Sequence, residues 1–472
     1  MHSVTFPRTL TTIAAAGIIP HVDKEQTPQG EPSPKAHQTS LENEEAHAVD
    51  ADYPEGGLQA WLTVIGAVLV QFVCGCVLLL TSKSSLKSTY TSYVNAFGVY
   101  QDFLVQDYLS DYSSSQISWI GSVATSLTLA TGLFSGRLFD AGHFYPVTIA
   151  DSVLIALCLF MLSLAQRQSY YQAFLTLGLG YGIGIGALYV PSIAIVSHYF
   201  QRRRALAMGI ASSGSSLGAL LHPIMLNNLF HGSVGFANGI RASAGLITAT
   251  LVLPLLAMRT RLPPRPKAQI SLSAAANKFI RDDVYVIAVI ATFMVVQGVF
   301  FPLFYLQLYC DQHGIDRTFG FYSLTILSSA SFIGRLAGGA VVNRCGVFNV
   351  MSSCSFACSI LVFAMLGLEN VAGITVWAVV YGFFSGAYIT LLGPMLSSLA
   401  TDVSEVGARI GIAFTFTGVG ALIATPITGA LLTRQYHWWR PIVYIGVVSG
   451  FGAFLFTVSR FMLAKRKATS VV

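Results

Sequence analysis

Twelve predominantly apolar runs, each long enough to cross the ~30 Å hydrocarbon core of a bilayer, limit what this chain can fold into. They lie at 58–80, 116–139, 145–165, 171–197, 205–230, 240–257, 284–308, 320–341, 347–367, 371–399, 408–432 and 441–463. Backbone polar groups in lipid must be satisfied within the segment, and no alternating strand pattern competes, so the runs predict transmembrane helices. Only 10% of the residues are charged, against about 25% in a soluble domain, which supports the same interpretation.

Short motifs recur along the chain at an offset close to 200 residues. The Tyr-Gly and Gly-Ala pairs of residues 181–187 return at residues 381–387. Further pairs follow a similar offset: 218–223 with 420–426, Gly136 with Gly339, and Arg204 with Arg409. The chain therefore looks like two copies of one membrane unit. We predict an all-α integral membrane fold, with twelve transmembrane helices in two six-helix bundles around a shared substrate site.

The basic residues are distributed asymmetrically between the predicted loops. With the N-terminus placed in the cytosol, fifteen Lys and Arg residues fall in cytosolic loops and five on the opposite side. This matches the positive-inside rule and predicts that both termini are cytosolic. The membrane we expect is the plasma membrane. The net charge of +6 is thus a topology signal, and no nucleic-acid partner is expected.

Composition divides the chain into five predicted segments. They are a disordered cytosolic tail at 1–52, a first bundle at 53–257, a basic cytosolic linker at 258–283, a second bundle at 284–463 and a cytosolic tail at 464–472. Residues 73–93 make the first bundle irregular, because a second, moderately apolar piece follows the first span. We predict that 73–93 is an insertion.

Five segments carry a resemblance to a known family. Residues 55–61 (Glu-Gly-Gly-Leu-Gln-Ala-Trp) resemble the start of helix one in monocarboxylate-porter-like members of the major facilitator superfamily. Residues 95–100 resemble the continuation of that helix, and residues 136–140 resemble the loop between helices two and three. Residues 301–309 and 331–335 resemble helices seven and eight of the fungal branch. The resemblance implies a transporter.

Two positions depart from the animal monocarboxylate carriers. Val99 stands where those carriers have a Lys in helix one, and Ser331 stands where they have an Asp before the helix-eight Arg. Both residues associated with proton-linked carboxylate movement are thus missing. These departures argue against a simple lactate-type carrier.

The candidate substrate-binding residues are polar groups inside apolar runs. An ionisable residue such as Arg335 is costly in the eighth run unless it faces a cavity or a partner, so it is either an anion or carbonyl clamp or a packing residue. His222 either binds substrate or a proton, or is satisfied by carbonyls that Pro223 frees. The other candidates supply hydroxyls and amides: Asn95, Tyr181, Gln297, Tyr305, Tyr381 and Tyr388.

Charged residues at the cytosolic helix ends form a second group of candidates. For Arg137 and Asp140, the resemblance implies a gate that latches the two halves in the outward-facing state. Arg344 and Arg204 occupy comparable positions and are assigned to the same gate. The alternative is that these residues only anchor the topology.

The sequence predicts a secondary active transporter, not an enzyme. Its expected partners are the bilayer and a small organic solute (an organic acid, a vitamin or a secondary metabolite), with protons as the coupling ion. No Cys, His or acidic residues stand at metal spacing and no nucleotide-binding motif occurs, so we expect no cofactor, metal or ATP. A non-transporting nutrient sensor and a membrane enzyme remain alternatives; flux measurements distinguish the three.

Overall fold

A computed structural model describes residues 54–75, 109, 111–112, 114–231, 233, 235–261, 272–400, 405–432, 436–470 and 472. All of them belong to one compact unit, Tyr53–Val472. Several predicted features fall outside these ranges: the tail at 1–52, residues 76–93 of the predicted insertion, Asn95, and residues 262–271 of the linker. Residues 73–75 of the predicted insertion are helical.

Within the described ranges, the first half of the chain forms seven helices and the second half six, joined by a short helix in the linker. The first half comprises α1 (Leu58–Gly75), α2 (Ser114–Ala130), α3 (Gly132–Asp140), α4 (Phe144–Leu162), α5 (Tyr170–His198), α6 (Arg204–His231) and α7 (Gly235–Ala257). The linker helix is α8 (Leu272–Ile280). The second half comprises α9 (Asp283–Gln312), α10 (Arg317–Cys345), α11 (Val347–Ala364), α12 (Val371–Ser398), α13 (Val406–Leu432) and α14 (Trp439–Lys467). The described residues contain no strand, as the sequence predicts.

Ten helices in the described part of the chain are long and apolar enough to cross a membrane. Among the described residues, the α2–α3 pair and α6 occupy the two remaining predicted spans but are less apolar. In α6 the reason is a group of serines, of which Ser212, Ser215 and Ser216 are buried. The hydroxyls of Ser212 and Ser215 donate to carbonyls of their own helix, at 3.1 and 2.9 Å, which satisfies them away from water. The all-helical fold that the sequence predicts is confirmed.

Glycines bring the same pair of helices together in each half. Gly182 and Gly186 of α5 lie against α2 at Ala124 and Thr128, so closely that neither position has room for a Cβ. In the second half, Gly382 and Gly386 of α12 pack in the same way on α10, at Leu327 and Ser331. The contact positions differ by 200 residues on one helix and 203 on the other. The repeat in the sequence is thus a repeat of helix packing.

The two halves meet through a second pair of equivalent contacts. Helix α6 packs on α10, and α13 packs on α2 and α3. At the first contact a Cβ on Gly339 would lie 2.7 Å from the carbonyl oxygen of Ala205. At the second, a Cβ on Gly136 would lie 3.4 Å from the carbonyl oxygen of Gly407. In the repeat, residue 136 corresponds to residue 339 and residue 205 to residue 407. The two contacts are therefore equivalent, and an approximate two-fold axis relates the two halves at their interface.

The helix ends divide the described loops between two faces. One of them, here called the basic face, carries the α3–α4, α5–α6 and α10–α11 connections, the linker helix and the end of α14. Glu55 fixes the start of α1 at this face. Its carboxylate accepts hydrogen bonds from the backbone N–H groups of Gln201, Arg202 and Arg203 at 2.8, 2.5 and 3.2 Å, just before α6 begins.

Candidate functional site

A cavity lies between the two halves, where four helices of each half converge. It is lined from α1, α2, α5 and α6 on one side and from α9, α10, α12 and α13 on the other. The volume is about 60 Å³, whereas sites for drug-sized ligands occupy roughly 300–1,000 Å³. In this conformation the halves therefore close around the site, and they must move apart to admit an organic ligand.

Arg335 of α10 places a guanidinium group at the cavity. Its side chain is only 6% exposed, and Nη1 donates a 3.0 Å hydrogen bond to the carbonyl oxygen of Ser212, in the other half. Its Nε is buried and has no hydrogen-bond partner among the described residues. No carboxylate of the described chain lines the cavity. A buried cation without a counter-ion is costly unless a ligand compensates it, so the site suits an acceptor or an anion.

Two hydroxyl groups at the cavity also have no hydrogen-bond partner among the described residues. Tyr388 of α12 and Ser328 of α10 both line it. The oxygen of each side chain is buried and makes no hydrogen bond within the described part of the chain. Buried polar groups are nearly always bonded, so atoms left open around one cavity indicate where a ligand's polar groups fit.

Apolar side chains make up most of the remaining wall. Phe300 and Leu303 of α9, Phe414 of α13 and Leu129 of α2 are among them. Such a wall suits the hydrocarbon or aromatic body of a ligand, while the few polar groups fix its orientation.

A polar seam between the halves adjoins the cavity. Ser212 and Thr390 share a hydrogen bond of 2.7 Å, and Ser216 donates to Ser331 at 3.3 Å. Position 331, where an Asp would match the animal carriers, thus makes a neutral contact across the interface.

Most of the other predicted binding residues use their polar groups inside one half. Gln297 accepts a 3.1 Å bond from Tyr444, and Tyr381 donates to the carbonyl oxygens of Gly298 and Val299 at 3.2 and 3.0 Å. Tyr305 accepts a 3.3 Å bond from Thr428.

His222 and Tyr181 also lie away from the cavity wall. His222 is 2% exposed and shares a 2.9 Å bond with Ser243 of α7 through Nε2. Tyr181 is buried within the first half. Of the predicted residues within the described ranges, the structure therefore brings Arg335 and Tyr388 together at the cavity.

The sequence analysis did not identify one set of residues that line the cavity. Ser215, Ser216 and Ala219 of α6 line the cavity, and Ser212 faces the same interface. Their spacing of i, i+3, i+4 and i+7 marks one face of a helix. A stripe of small and hydroxyl residues inside an apolar run is the signal that would have found them.

The predicted gate residues lie at the basic face but not in a single cluster. Asp140 ends α3, and its carboxylate lies against Gly407 in the first turn of α13, where a Cβ would overlap it. An anion beside a helix N-terminus is favourable. Arg137 lies one turn before Asp140, Arg204 opens α6, and Arg344 is exposed in the last turn of α10.

The comparisons with known proteins agree on one family and one fold. The family model described as Major Facilitator Superfamily matches residues 63–371 and 323–471. The chain is 36% identical to the aspyridones efflux protein apdF of Emericella nidulans, over 85% of this chain and 78% of that protein. It is 35% identical to the MFS-type transporter dbaD of the same fungus, covering 86% of each. It is 32% identical to the agnestins efflux protein AgnL12 of Paecilomyces divaricatus, over 84% and 88%.

A solved structure matches the fold at low sequence identity. It is a variant of the Escherichia coli fucose:proton symporter FucP, with a TM-score of 0.63 and 15% identity. The match covers 84% of this chain and 98% of the symporter.

Proposed function

We propose that this chain, which belongs to the Major Facilitator Superfamily, exports a small secondary metabolite across a membrane by alternating access. The observation that carries the proposal is the cavity between the two halves, where three buried polar atoms have no hydrogen-bond partner among the residues that the structure describes. A site at the junction of two repeats can open to either side when the halves rock against each other.

The proposed substrate has an apolar body and at least one strong hydrogen-bond acceptor. Arg335 and Tyr388 supply donors for that acceptor, and the walls of Phe300 and Phe414 accommodate the body. Asn95, which lies outside the described residues, remains a candidate for the same site. An organic acid or an acidic secondary metabolite fits this chemistry better than a sugar, which would need many polar groups in the wall.

We assign the direction of transport from the relatives. Two of them carry names of efflux proteins for fungal metabolites, the aspyridones and the agnestins. We place the basic face in the cytosol because the charge asymmetry of the loops follows the positive-inside rule. Efflux from the cell then implies the plasma membrane, with both termini inside.

We propose protons as the coupling ion. The fold relative FucP is named as a proton symporter. Two titratable residues in the first half are candidates for the coupling, the buried His222 and the partly buried Asp151. Nδ1 of His222 and Oδ2 of Asp151 are inaccessible atoms without a hydrogen-bond partner among the described residues. Moving one charge across the membrane is worth about 2.3 kcal/mol per 100 mV, enough to drive accumulation.

We propose that Asp140 and Gly407 form the gate at the basic face. Their contact joins α3 of the first half to α13 of the second. Separation of the halves on this side must break it together with the neighbouring contact of Gly136 with Gly407, and the contact of Ala205 with Gly339, which is equivalent to the latter, must open as well. Arg137, Arg204 and Arg344 are assigned to the surroundings of this gate.

The experiment that tests the function compares a deletion strain with its parent. We expect one metabolite to rise inside the deletion cells and fall in the medium. The purified protein in proteoliposomes should then accumulate that metabolite when a pH gradient is imposed and lose it when the gradient is dissipated. Saturable binding without accumulation would instead favour a sensor, and a chemically altered product would favour an enzyme.

A further inference from the structure

A second cavity opens at the basic face and shares no lining residue with the cavity between the halves. It has a volume of about 450 Å³ and lies where α8, α9, α13 and α14 meet. Lys278, Arg281, Arg409 and Arg466 line it, together with Asp282 and Asp283. Helix α9 begins and α14 ends beside it, and both are long and apolar enough to span a membrane. The cleft therefore lies at the depth of the lipid headgroups.

Two of the acidic groups near the cleft, Asp282 and Glu405, are already paired with basic ones. Asp282 accepts a hydrogen bond from Nη1 of Arg409 at 2.9 Å and lies 3.3 Å from Nη1 of Arg466. Glu405 pairs with Lys278 and lies 3.5 Å from Nε of Arg409. Arg409 is 2% exposed, and its guanidinium also sits over the ring of Phe279 at 4.6 Å. Arg409 is thus held in place by Asp282, Glu405 and an aromatic ring.

The groups that remain accessible are mostly basic. The side chains of Lys278 and Arg466 are 51% and 58% exposed, and Arg281 is exposed as well. Asp283 is the one exposed acid among the lining residues. Lys465 and Lys467 flank Arg466 and extend the positive surface.

Apolar side chains stand beside these charges. Met462 lines the cleft, and its neighbour Phe461 is 60% exposed. Ile280, at the end of the linker helix, is 67% exposed next to Arg281. Basic groups next to exposed apolar ones match a phospholipid, which joins a charged phosphate to acyl chains.

We propose that this cleft binds the phosphate of an anionic phospholipid from the leaflet at the basic face. Arg281, Arg466 and Lys278 contact the phosphate, since guanidinium groups bind phosphate oxygens through paired hydrogen bonds. Met462, Phe461 and Ile280 contact the start of the acyl chains. The lipid then ties α8 to α14 and to Arg409 in the first turn of α13, the helix that packs on the other half.

The test measures lipids retained by the full chain in detergent micelles, by native mass spectrometry. We expect the protein to retain phosphatidylserine over phosphatidylcholine. The triple substitution Lys278→Gln, Arg281→Gln and Arg466→Gln should reduce phosphatidylserine retention at least tenfold.

A matched variant, Arg202→Gln with Arg203→Gln and Arg259→Gln, removes three exposed charges from the same face and should retain the lipid. Equal loss in both variants would overturn the proposal, because it would indicate general surface charge.

Two further experiments distinguish lipid binding from binding of free phosphate, and loss of binding from misfolding of the variant. Glycerol 3-phosphate carries the headgroup phosphate without acyl chains, and we expect it not to displace phosphatidylserine at millimolar concentration. Displacement would identify a soluble phosphate compound as the ligand and overturn the lipid assignment. Arg281→Gln alone, whose side chain makes no hydrogen bond among the described residues, should fold and still lower retention several-fold; unchanged retention would contradict the proposal.

Discussion

Arg335 is held at the cavity by a bond that crosses the interface. Its Nη1 donates to Ser212 of α6, which leaves Nε available for a ligand. The planar guanidinium makes both interactions possible at once, because its donors point in fixed directions. One side chain thereby connects the cavity to the contact between the halves.

Replacing Arg335 should weaken transport in a graded way. Hydrogen bonds to charged groups contribute about 1.5–3 kcal/mol, so Arg335→Ala should lower substrate affinity by about ten- to a hundredfold. Arg335→Lys keeps the charge but carries all its donors on one nitrogen, so it cannot reproduce the fixed fork of the guanidinium and should be intermediate. The measurement is the concentration dependence of flux in proteoliposomes, with Arg259→Ala as an exposed control. Unchanged saturation in Arg335→Ala would remove this residue from the site.

Tyr388 and Tyr381 provide a matched pair on α12. Both are fully buried, but Tyr381 donates to two backbone carbonyls while the Tyr388 hydroxyl is open at the cavity. We expect Tyr388→Phe to lower substrate affinity several-fold without loss of thermal stability. Tyr381→Phe should instead cost about 1 kcal/mol of stability with the affinity retained. Binding assays and thermal unfolding of both variants check this, and identical behaviour of the pair would contradict it.

The sequence alone could not separate these two tyrosines. They are seven residues apart, which places them on nearly the same face of the helix at depths about 10 Å apart. What each hydroxyl contacts depends on α9 and α10, which are distant in the chain. Arg335, by contrast, was predictable, because a charge inside an apolar run needs a cavity or a partner.

At the scale of helices, the close contacts between helices follow the repeat that is visible in the sequence. The glycines at 182 and 186, and at 382 and 386, mark the 200-residue repeat in the sequence, and the structure places each against the backbone of a neighbouring helix. The partner helix could not be predicted from the glycines, because a face without side chains fits any neighbouring helix.

The contact of Gly407 with Asp140 predicts a mutational effect on the gate. Gly407→Ala puts a methyl group into the carboxylate and should lower both the transport rate and the thermal stability. Gly393→Ala is the control, since its Cβ would meet only Ile193, at 4.0 Å. Adding Asp140→Ala to Gly407→Ala removes the overlap and should restore stability. Additive effects in this double-mutant cycle would show that the two positions do not interact.

Glu55 predicts a pH dependence of stability at the start of α1. Partial burial raises the pKa of its carboxyl, but the bonds from three backbone N–H groups, with the charge of Arg202, outweigh burial and hold the pKa below its usual range. A lowered folded-state pKa stabilises the fold above the unfolded pKa of about 4.3 and loses that effect as pH falls.

The corresponding variant is Glu55→Gln. We expect it to unfold at lower temperature than the parent near pH 7, with the difference shrinking towards pH 3. Thermal unfolding in detergent at both pH values is the measurement. If the difference in unfolding temperature grew as the pH fell, Glu55 would not have a lowered pKa in the folded protein.

At the scale of the whole molecule, the repeat determines how the halves meet. The contacts of α6 with α10 and of α13 with α2 and α3 are equivalent, so the cavity lies between two similar surfaces. The sequence predicted this arrangement through the offset of its motifs. It could not predict how far the halves are closed, because that depends on the balance of contacts at the two faces.

The most direct test of alternating access is a pair of distances measured by spin labelling, in a variant whose exposed Cys345 is replaced. One pair of labels, at Arg203 and Asn343, reports on the basic face, and the other, at Arg167 and Glu369, reports on the opposite face. All four positions are exposed. Adding substrate or changing pH should lengthen one distance while shortening the other. If both distances stay fixed or change in the same direction, the two halves do not open alternately around a shared site.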